Sequence, residues 1–184
     1  MYPRKGGGQQ KMPAYKSVNP QGLVPTLETD HGPIPQSMAI LEYLDEVQSM
    51  PPFLPTDAYA RARVRGIADA IACDIHPINN LRILLHLTDA LGQDEDSVNT
   101  CCPHWVAEGL ANLEAELAPN PGGGQYYWGD ALTLADICLV PQIYNARRYA
   151  YDLSPYPTLV DITDRLNALS VFVDAAPENQ PDAT

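Results

Sequence analysis

Two polar residues at the start of a predicted helix have the chemistry of an anion-binding site. Gln36 and Ser37 directly precede apolar residues that recur at helical spacing from Met38 onward. The first backbone N–H groups of a helix, its dipole and a hydroxyl side chain together attract a negatively charged group. Ser37 equally suits an ordinary N-cap, and the two roles are compatible.

A second set of polar side chains forms a stripe on a later helical segment. The stripe consists of His76, Asn79, Asn80, Arg82 and His86. It lies opposite much of an apolar spine, and Pro77 should kink the helix within it. These residues alone favour a solvated helix face, and local hydrogen bonding at the kink is an alternative explanation for His76.

The four cysteines give no sign of a metal site or a catalytic thiol. Cys73, Cys101, Cys102 and Cys138 form no CxxC pair and no spacing typical of zinc ligands. Cys73 and Cys138 lie in apolar helical patterns, where a free cysteine behaves as a small hydrophobic residue. We therefore interpret them as inert and predict no metal ligand.

The predicted secondary structure that positions these residues changes near residue 50, from a hairpin and a helix to a proline-rich linker. Residues 23–29 predict a strand, Asp30-His31-Gly32 a turn, and a second strand near Ile34 a hairpin. A helix from Ser37 to about Val47 follows. Three prolines between residues 51 and 55 exclude a helix there and predict a linker.

Every long segment after the linker has helical periodicity. We predict a helix over residues 57–85 kinked at Pro77, a polar loop at 92–99, and a helix that ends at the Pro- and Gly-rich residues 119–124. Thr133 and Asp136 form a capping box at the start of the next helix, and a last helix begins at Tyr156. The domains expected are residues 1–50, a linker at 51–56, and a helical domain at 57–184.

Composition excludes several classes of function. The 184 residues include 11 Lys+Arg against 23 Asp+Glu, a formal net charge of −12. Nucleic-acid binding needs a basic footprint, and anionic membrane surfaces repel an acidic protein. No apolar run approaches the roughly 18 residues that span a bilayer, and the first residues do not resemble a signal peptide. We expect a cytoplasmic protein that binds neither nucleic acid nor membrane.

A series of ordered motifs resembles the cytosolic glutathione transferases, and within them the zeta class of maleylacetoacetate and maleylpyruvate isomerases. The motifs are at residues 19–25, 36–44, 73–82, 133–142, 145–148, 152–157 and 180–182. The resemblance implies an α/β plus all-α protein: an incomplete thioredoxin-like N-terminal domain followed by an all-helical glutathione-transferase C-terminal domain. It also implies glutathione as the cofactor and a homodimer.

The resemblance assigns roles to two sets of residues. Gln21, Val24, Pro25, Gln36 and Ser37 match the positions that bind glutathione, with Val24 preceding a cis-proline. His76, Asn80, Arg82 and Arg148 match positions that line the substrate pocket. Two guanidinium groups suit a small keto acid with a carboxylate at each end. Arg147 is instead expected to serve as favourable charge at the helix C-terminus. The implied reaction is a cis–trans isomerisation in which the glutathione thiolate adds to a double bond and then leaves.

One part of the family pattern is absent. Relatives begin with a strand and helix that carry a Ser-rich motif, and this sequence begins near the end of their second strand. Because that motif holds the thiolate of glutathione, no catalytic residue is assigned here. Three hypotheses follow: a maleylacetoacetate or maleylpyruvate isomerase, a non-catalytic glutathione-transferase-like module that binds through its helical domain, or an inactive remnant.

Overall fold

The computed structural model describes residues 8–48, 50–117, 124–181 and 183. The chain divides into two compact units. The first unit contains the described residues up to Pro52 and those from Ala175 onward, and the second unit spans Phe53–Asp174. The predicted helical domain extended to residue 184, whereas this division groups the last residues with the first unit.

The first unit contains a β-hairpin followed by a helix. Its elements are a 3₁₀ turn at Gln9–Lys11, α1 at Pro13–Lys16, β1 at Thr26–Thr29, β2 at Gly32–Pro35, α2 at Ser37–Gln48 and a 3₁₀ turn at Pro177–Asn179. The strands are antiparallel, with Thr26 opposite Pro35 and Thr29 opposite Gly32. Gly32 has a φ of 114°, a conformation that needs glycine. The predicted hairpin and helix are confirmed, although β1 begins three residues later than predicted.

The described residues of the second unit form helices joined by turns and loops, with no strand among them. Its elements are α3 at Ala58–Asp69, a π-helix at Ala70–Ile75, α4 at Leu81–Leu85, a π-helix at His86–Ala90, α5 at Glu95–Leu117, α6 at Leu134–Arg148, α7 at Pro157–Asn167 and α8 at Ser170–Ala175. None of the described helices is both long and apolar enough to cross a membrane.

Two predicted elements of this unit were wrong. The single helix over residues 57–85 is divided, because the chain leaves its helical path around Pro77 and starts again at Leu81. The polar loop at 92–99 is largely helical, since α5 begins at Glu95 and the Asp94 carboxylate accepts a hydrogen bond from the Ser97 N–H at 2.8 Å. The predicted end of that helix, at residues 119–124, lies almost entirely outside the described residues.

The core of the second unit forms where α6 packs against α3 and α7, and α5 against α7 and the first π-helix. Its fully buried large side chains include Val64, Val106, Leu110, Leu134, Leu139, Ile143, Leu159 and Leu166. Each contributes about 1.5–3 kcal/mol when it leaves water. Gly109 on α5 lies directly against Ile75, so a larger residue there would collide with the end of the first π-helix. This close approach holds Ile75 in place, and Ile75 directly precedes His76, the first residue of the polar stripe.

A carboxylate from α5 caps the N-terminus of α7. Pro157 occupies the first turn of α7, and its N-cap residue, Tyr156, makes no side-chain cap. The two Glu114 oxygens instead accept hydrogen bonds from the N–H groups of Thr158 and Leu159, each at 2.9 Å. The negative charge also complements the helix dipole. This contact joins elements more than 40 residues apart in the sequence.

We expect Glu114→Ala to lower the free energy of unfolding by about 1–2 kcal/mol, because it removes the cap and leaves two helix N–H groups without an acceptor. Urea denaturation measures this loss. Glu108→Ala is the matched control, since Glu108 lies on the same helix and only approaches the exposed His104 at 3.8 Å. Equal losses in the two variants would show that Glu114 is not a cap.

Candidate functional site

The loop before β1 presents Val24, whose backbone is unpaired among the described residues, to solvent. The Val24-Pro25 peptide is cis, as the resemblance predicts. Val24 is 48% exposed. Among the described residues, no hydrogen bond engages the Val24 backbone. Its N–H and C=O are therefore available to pair with the backbone of a bound peptide, in the manner of a short added strand.

Two glutamines meet at the start of α2. The Gln36 side chain donates a hydrogen bond from Nε2 to Oε1 of Gln21 at 2.9 Å, which brings together two of the predicted glutathione ligands. Gln36 also has a φ of 76°, which costs a residue other than glycine about 1 kcal/mol or more. Such strain is typically retained where a site needs a particular backbone geometry.

Ser37 completes this end of α2. It is the first residue of a 12-residue helix and is exposed to solvent. Within the described residues its hydroxyl has no hydrogen-bond partner. The helix N-terminus therefore offers a hydroxyl, the backbone N–H of Ser37 and the positive end of the helix dipole, which suit a carboxylate.

In the second unit, His76 lies directly after the first π-helix, and its backbone N–H donates a hydrogen bond to the Ile71 carbonyl at 2.9 Å. The residue is exposed to solvent, yet the protein atoms around the ring desolvate it enough to lower the pKa of its imidazole. His76 is accordingly neutral at pH 7 and can both donate and accept a hydrogen bond.

Asn80 and Arg82 are joined through the start of α4. Asn80 is the N-cap, and its Oδ1 accepts a hydrogen bond from the Arg82 N–H at 3.1 Å. The cap uses Oδ1 of Asn80 as an acceptor, and the two amide N–H groups of the same side chain remain available as donors. The Arg82 side chain is exposed, and in the described part of the chain no carboxylate pairs with it.

The two adjacent arginines of α6 have different surroundings. Arg147 forms an ion pair with Asp164 of α7 at 2.7 Å. Arg148 has no carboxylate partner among the described residues, and its guanidinium lies 5.6 Å from the centre of the Tyr149 ring. Arg148 is therefore the one of this pair whose charge is available to a ligand. No described hydrogen bond or ion pair joins it to His76, Asn80 or Arg82.

Three of the four cysteines, Cys73, Cys102 and Cys138, have a raised pKa, which makes their thiols weak nucleophiles at neutral pH. Burial raises the pKa of Cys102, and it raises that of Cys138 to about 12. The pKa of Cys73 is raised by partial desolvation and by the nearby carboxylates of Asp69 and Asp74. These directions support the interpretation of the three thiols as inert. The predicted place of Cys73 in an apolar pattern was wrong, because its side chain is exposed.

Two residues that support the loop before β1 were not predicted from the sequence. Tyr15 and Asn19 both hydrogen-bond to the Leu23 carbonyl, at 2.7 and 2.9 Å. The only sequence signal was the position of Asn19 at the head of the motif at residues 19–25. An asparagine before a proline is also common in turns, so this signal did not indicate a role in a site.

The chain matches two family models of the glutathione S-transferases. Residues 2–47 match the model of the glutathione S-transferase N-terminal domain, and residues 106–175 match that of the C-terminal domain. A probable maleylacetoacetate isomerase of Vibrio cholerae is 46% identical over 177 residues, which are 96% of this chain and 81% of that protein.

Two solved structures are also similar. One is the holo structure of a maleylpyruvate isomerase, described as a bacterial zeta-class glutathione S-transferase, with a TM-score of 0.93 and 45% identity. The other is a maleylacetoacetate isomerase of Methylobacterium extorquens AM1 with bound malonate and glutathione, with a TM-score of 0.91 and 35% identity. Each comparison covers 97% of this chain and 84% of the other.

The hairpin and helix of the first unit, together with the helical second unit, define a glutathione transferase fold. With identities of this size over nearly the whole chain, the protein belongs to the zeta class, the family of maleylacetoacetate and maleylpyruvate isomerases. The resemblance noted in the sequence is thus confirmed.

The lowered pKa of His76 predicts a pH dependence of stability. The folded chain holds His76 neutral below its usual pKa of about 6.5, whereas the unfolded chain takes up a proton there. The unfolded state therefore binds more protons, and stability falls as the pH falls through this range. Urea midpoints at pH 5.5 and 7.5 should differ less in His76→Gln than in the wild type. His31→Gln, in the exposed hairpin turn, is the control, and an unchanged difference in His76→Gln would contradict the prediction.

Proposed function

We propose that the protein is a glutathione-dependent cis–trans isomerase that acts on a small dicarboxylic keto acid of the maleylacetoacetate or maleylpyruvate type. The observation that carries this proposal is the similarity, over nearly the whole chain, to proteins bearing these two names. The chemistry of the residues supports it, because one unit offers backbone and amide donors and the other offers unpaired guanidinium groups.

Glutathione fits the residues of the first unit. Val24 would pair its free backbone groups with the cysteinyl part of the tripeptide, beside Pro25. Ser37 and the N-terminus of α2 would hold the γ-glutamyl carboxylate, next to Gln36, and Gln21 would contact the glycyl end. When bound, glutathione supplies a thiolate that can add reversibly to an activated carbon–carbon double bond.

The substrate fits the residues of the second unit. Arg82 and Arg148 would each bind a carboxylate through paired N–H donors, which fixes the direction in which the substrate lies. Neutral His76 and the amide N–H groups of Asn80 would donate to the keto oxygen, where negative charge develops during the reaction. Maleylacetoacetate and maleylpyruvate share these groups, so both belong to the proposed substrate class.

A direct assay tests the proposal. The chain should form the fumaryl product from maleylpyruvate or maleylacetoacetate only when glutathione is present. S-methylglutathione, which binds through the same groups but supplies no thiolate, should not support turnover. Glutathione binding without any turnover at high protein concentration would contradict the isomerase and favour the non-catalytic binding module.

We further propose that the protein works as a cytoplasmic homodimer, as the family resemblance implies. Light scattering on the purified chain should give a mass of about twice the 20.1 kDa of one chain. A mass of one chain at assay concentrations would exclude the dimer.

A further inference from the structure

A buried hydrogen-bond network lies beneath the loop that carries Val24. Asn19 is only 2% exposed, and its Nδ2 donates to the Leu23 carbonyl at 2.9 Å and to Oγ1 of Thr26 at 3.0 Å. The Tyr15 hydroxyl donates to the same carbonyl at 2.7 Å and lies 2.9 Å from Thr26 Oγ1. The Leu23 carbonyl, directly before Val24, is therefore held from two sides.

Each hydrogen bond in this network has only one possible donor. Tyr15 uses its one hydroxyl proton on Leu23, so Thr26 must donate its own proton to Tyr15 and accept one from Asn19. A rotated Asn19 amide would place its oxygen against the Leu23 carbonyl. Because every donor is used in one way only, the network holds the loop in a single conformation.

Asn19 is also linked by hydrogen bonds to Gln21 and Gln36, two further residues of the proposed glutathione site. Its Oδ1 accepts a hydrogen bond from the Gln21 N–H at 3.1 Å. Gln21 in turn accepts from Gln36, the residue of positive φ that precedes α2. One buried side chain is thus linked to the loop at Val24 through its donors and to the glutamine pair through its acceptor.

We propose that Asn19 is a positioning residue for glutathione, which holds the Val24 backbone and the Gln21–Gln36 pair in their binding geometry without touching the ligand. This inference rests on the proposed function, since it assumes that these residues bind glutathione. Pre-ordering both contacts removes an entropic cost that binding would otherwise bear. Asn19→Ala should weaken glutathione binding by about tenfold, and Tyr15→Phe, which removes one of the two donors to Leu23, by about threefold.

The test is calorimetric titration of the full chain with glutathione, at a temperature where urea denaturation shows each variant to be folded. Thr29→Ala is the matched control. It removes two hydrogen bonds of the same unit, to Gly32 at 2.8 Å and from His31 at 3.1 Å, that have no link to the network. It should lower stability and leave the affinity for glutathione unchanged.

The outcomes separate the inference from the function on which it rests. A wild-type chain that does not bind glutathione contradicts the proposed function itself. Wild-type affinity in folded Asn19→Ala, or equal weakening by Asn19→Ala and Thr29→Ala, overturns the positioning role alone. If Asn19→Ala does not fold, Tyr15→Phe decides, and unchanged affinity in that variant overturns the inference.

Discussion

Asp136→Ala should lower the free energy of unfolding by about 3–4 kcal/mol, a large part of the roughly 5–15 kcal/mol that stabilises an ordinary domain. Asp136 is fully buried near the start of α6. One carboxylate oxygen accepts from the Tyr127 N–H, and the other accepts from the N–H and the hydroxyl of Thr133, all at 2.8 Å. The substitution leaves these donors in the core without an acceptor.

The cost comes from the unmet donors more than from the lost volume. Burial raises the pKa of the Asp136 carboxyl group, and the hydrogen bonds from Tyr127 and Thr133 oppose that rise. The carboxylate is therefore kept in the core by the donors around it. Asp136→Asn retains the size and one acceptor oxygen, so it should lose less stability than Asp136→Ala.

Urea denaturation followed by circular dichroism measures both losses. Asp161→Ala is the control, because Asp161 is exposed on α7 and, among the described residues, its one ion pair is with Arg165, one turn away, at 3.2 Å. We expect it to change stability by no more than about 0.5 kcal/mol. A loss below about 1 kcal/mol in Asp136→Ala would show that α6 does not depend on this cap.

The capping box shows which features of the fold the sequence predicts. Thr133 and Asp136 are three residues apart, and the interaction between them is local, so the spacing alone indicated it. The hairpin and α2 were predicted on equally local grounds. The first turns of α5 were not, because residues 95–104 are mostly polar and contain Pro103, which hid the local cap that Asp94 provides to Ser97.

Contacts between distant residues account for most of what the sequence did not predict. Glu114 caps a helix that begins 43 positions later, and no local pattern indicates such a pair. The candidate site residues were identified by family resemblance, since a polar stripe and a double arginine are ordinary on any helix. The sequence also did not indicate that Arg147 has a partner in Asp164, whereas Arg148 has no carboxylate partner among the described residues.

Arg148→Ala should raise the KM for the keto-acid substrate roughly 30-fold, with a smaller effect on kcat. The lost interaction is a bidentate, charge-assisted pair with a carboxylate, worth about 2 kcal/mol. Because glutathione binding is proposed to use the first unit, its Kd should remain unchanged. Arg148→Lys keeps the charge but loses the paired N–H geometry, so its KM should lie between those of the wild type and Arg148→Ala.

Arg147→Ala is a closely matched control, because it removes the same charge from the adjacent position of α6. Its ion pair with Asp164 is largely exposed, so the substitution should cost less than about 1 kcal/mol of stability and leave KM within about twofold of wild type. The comparison therefore separates a specific carboxylate contact from a general loss of positive charge on an acidic protein. Equal KM values in the two variants would reject the contact at Arg148, and a raised KM in Arg147→Ala alone would move it to the neighbouring residue.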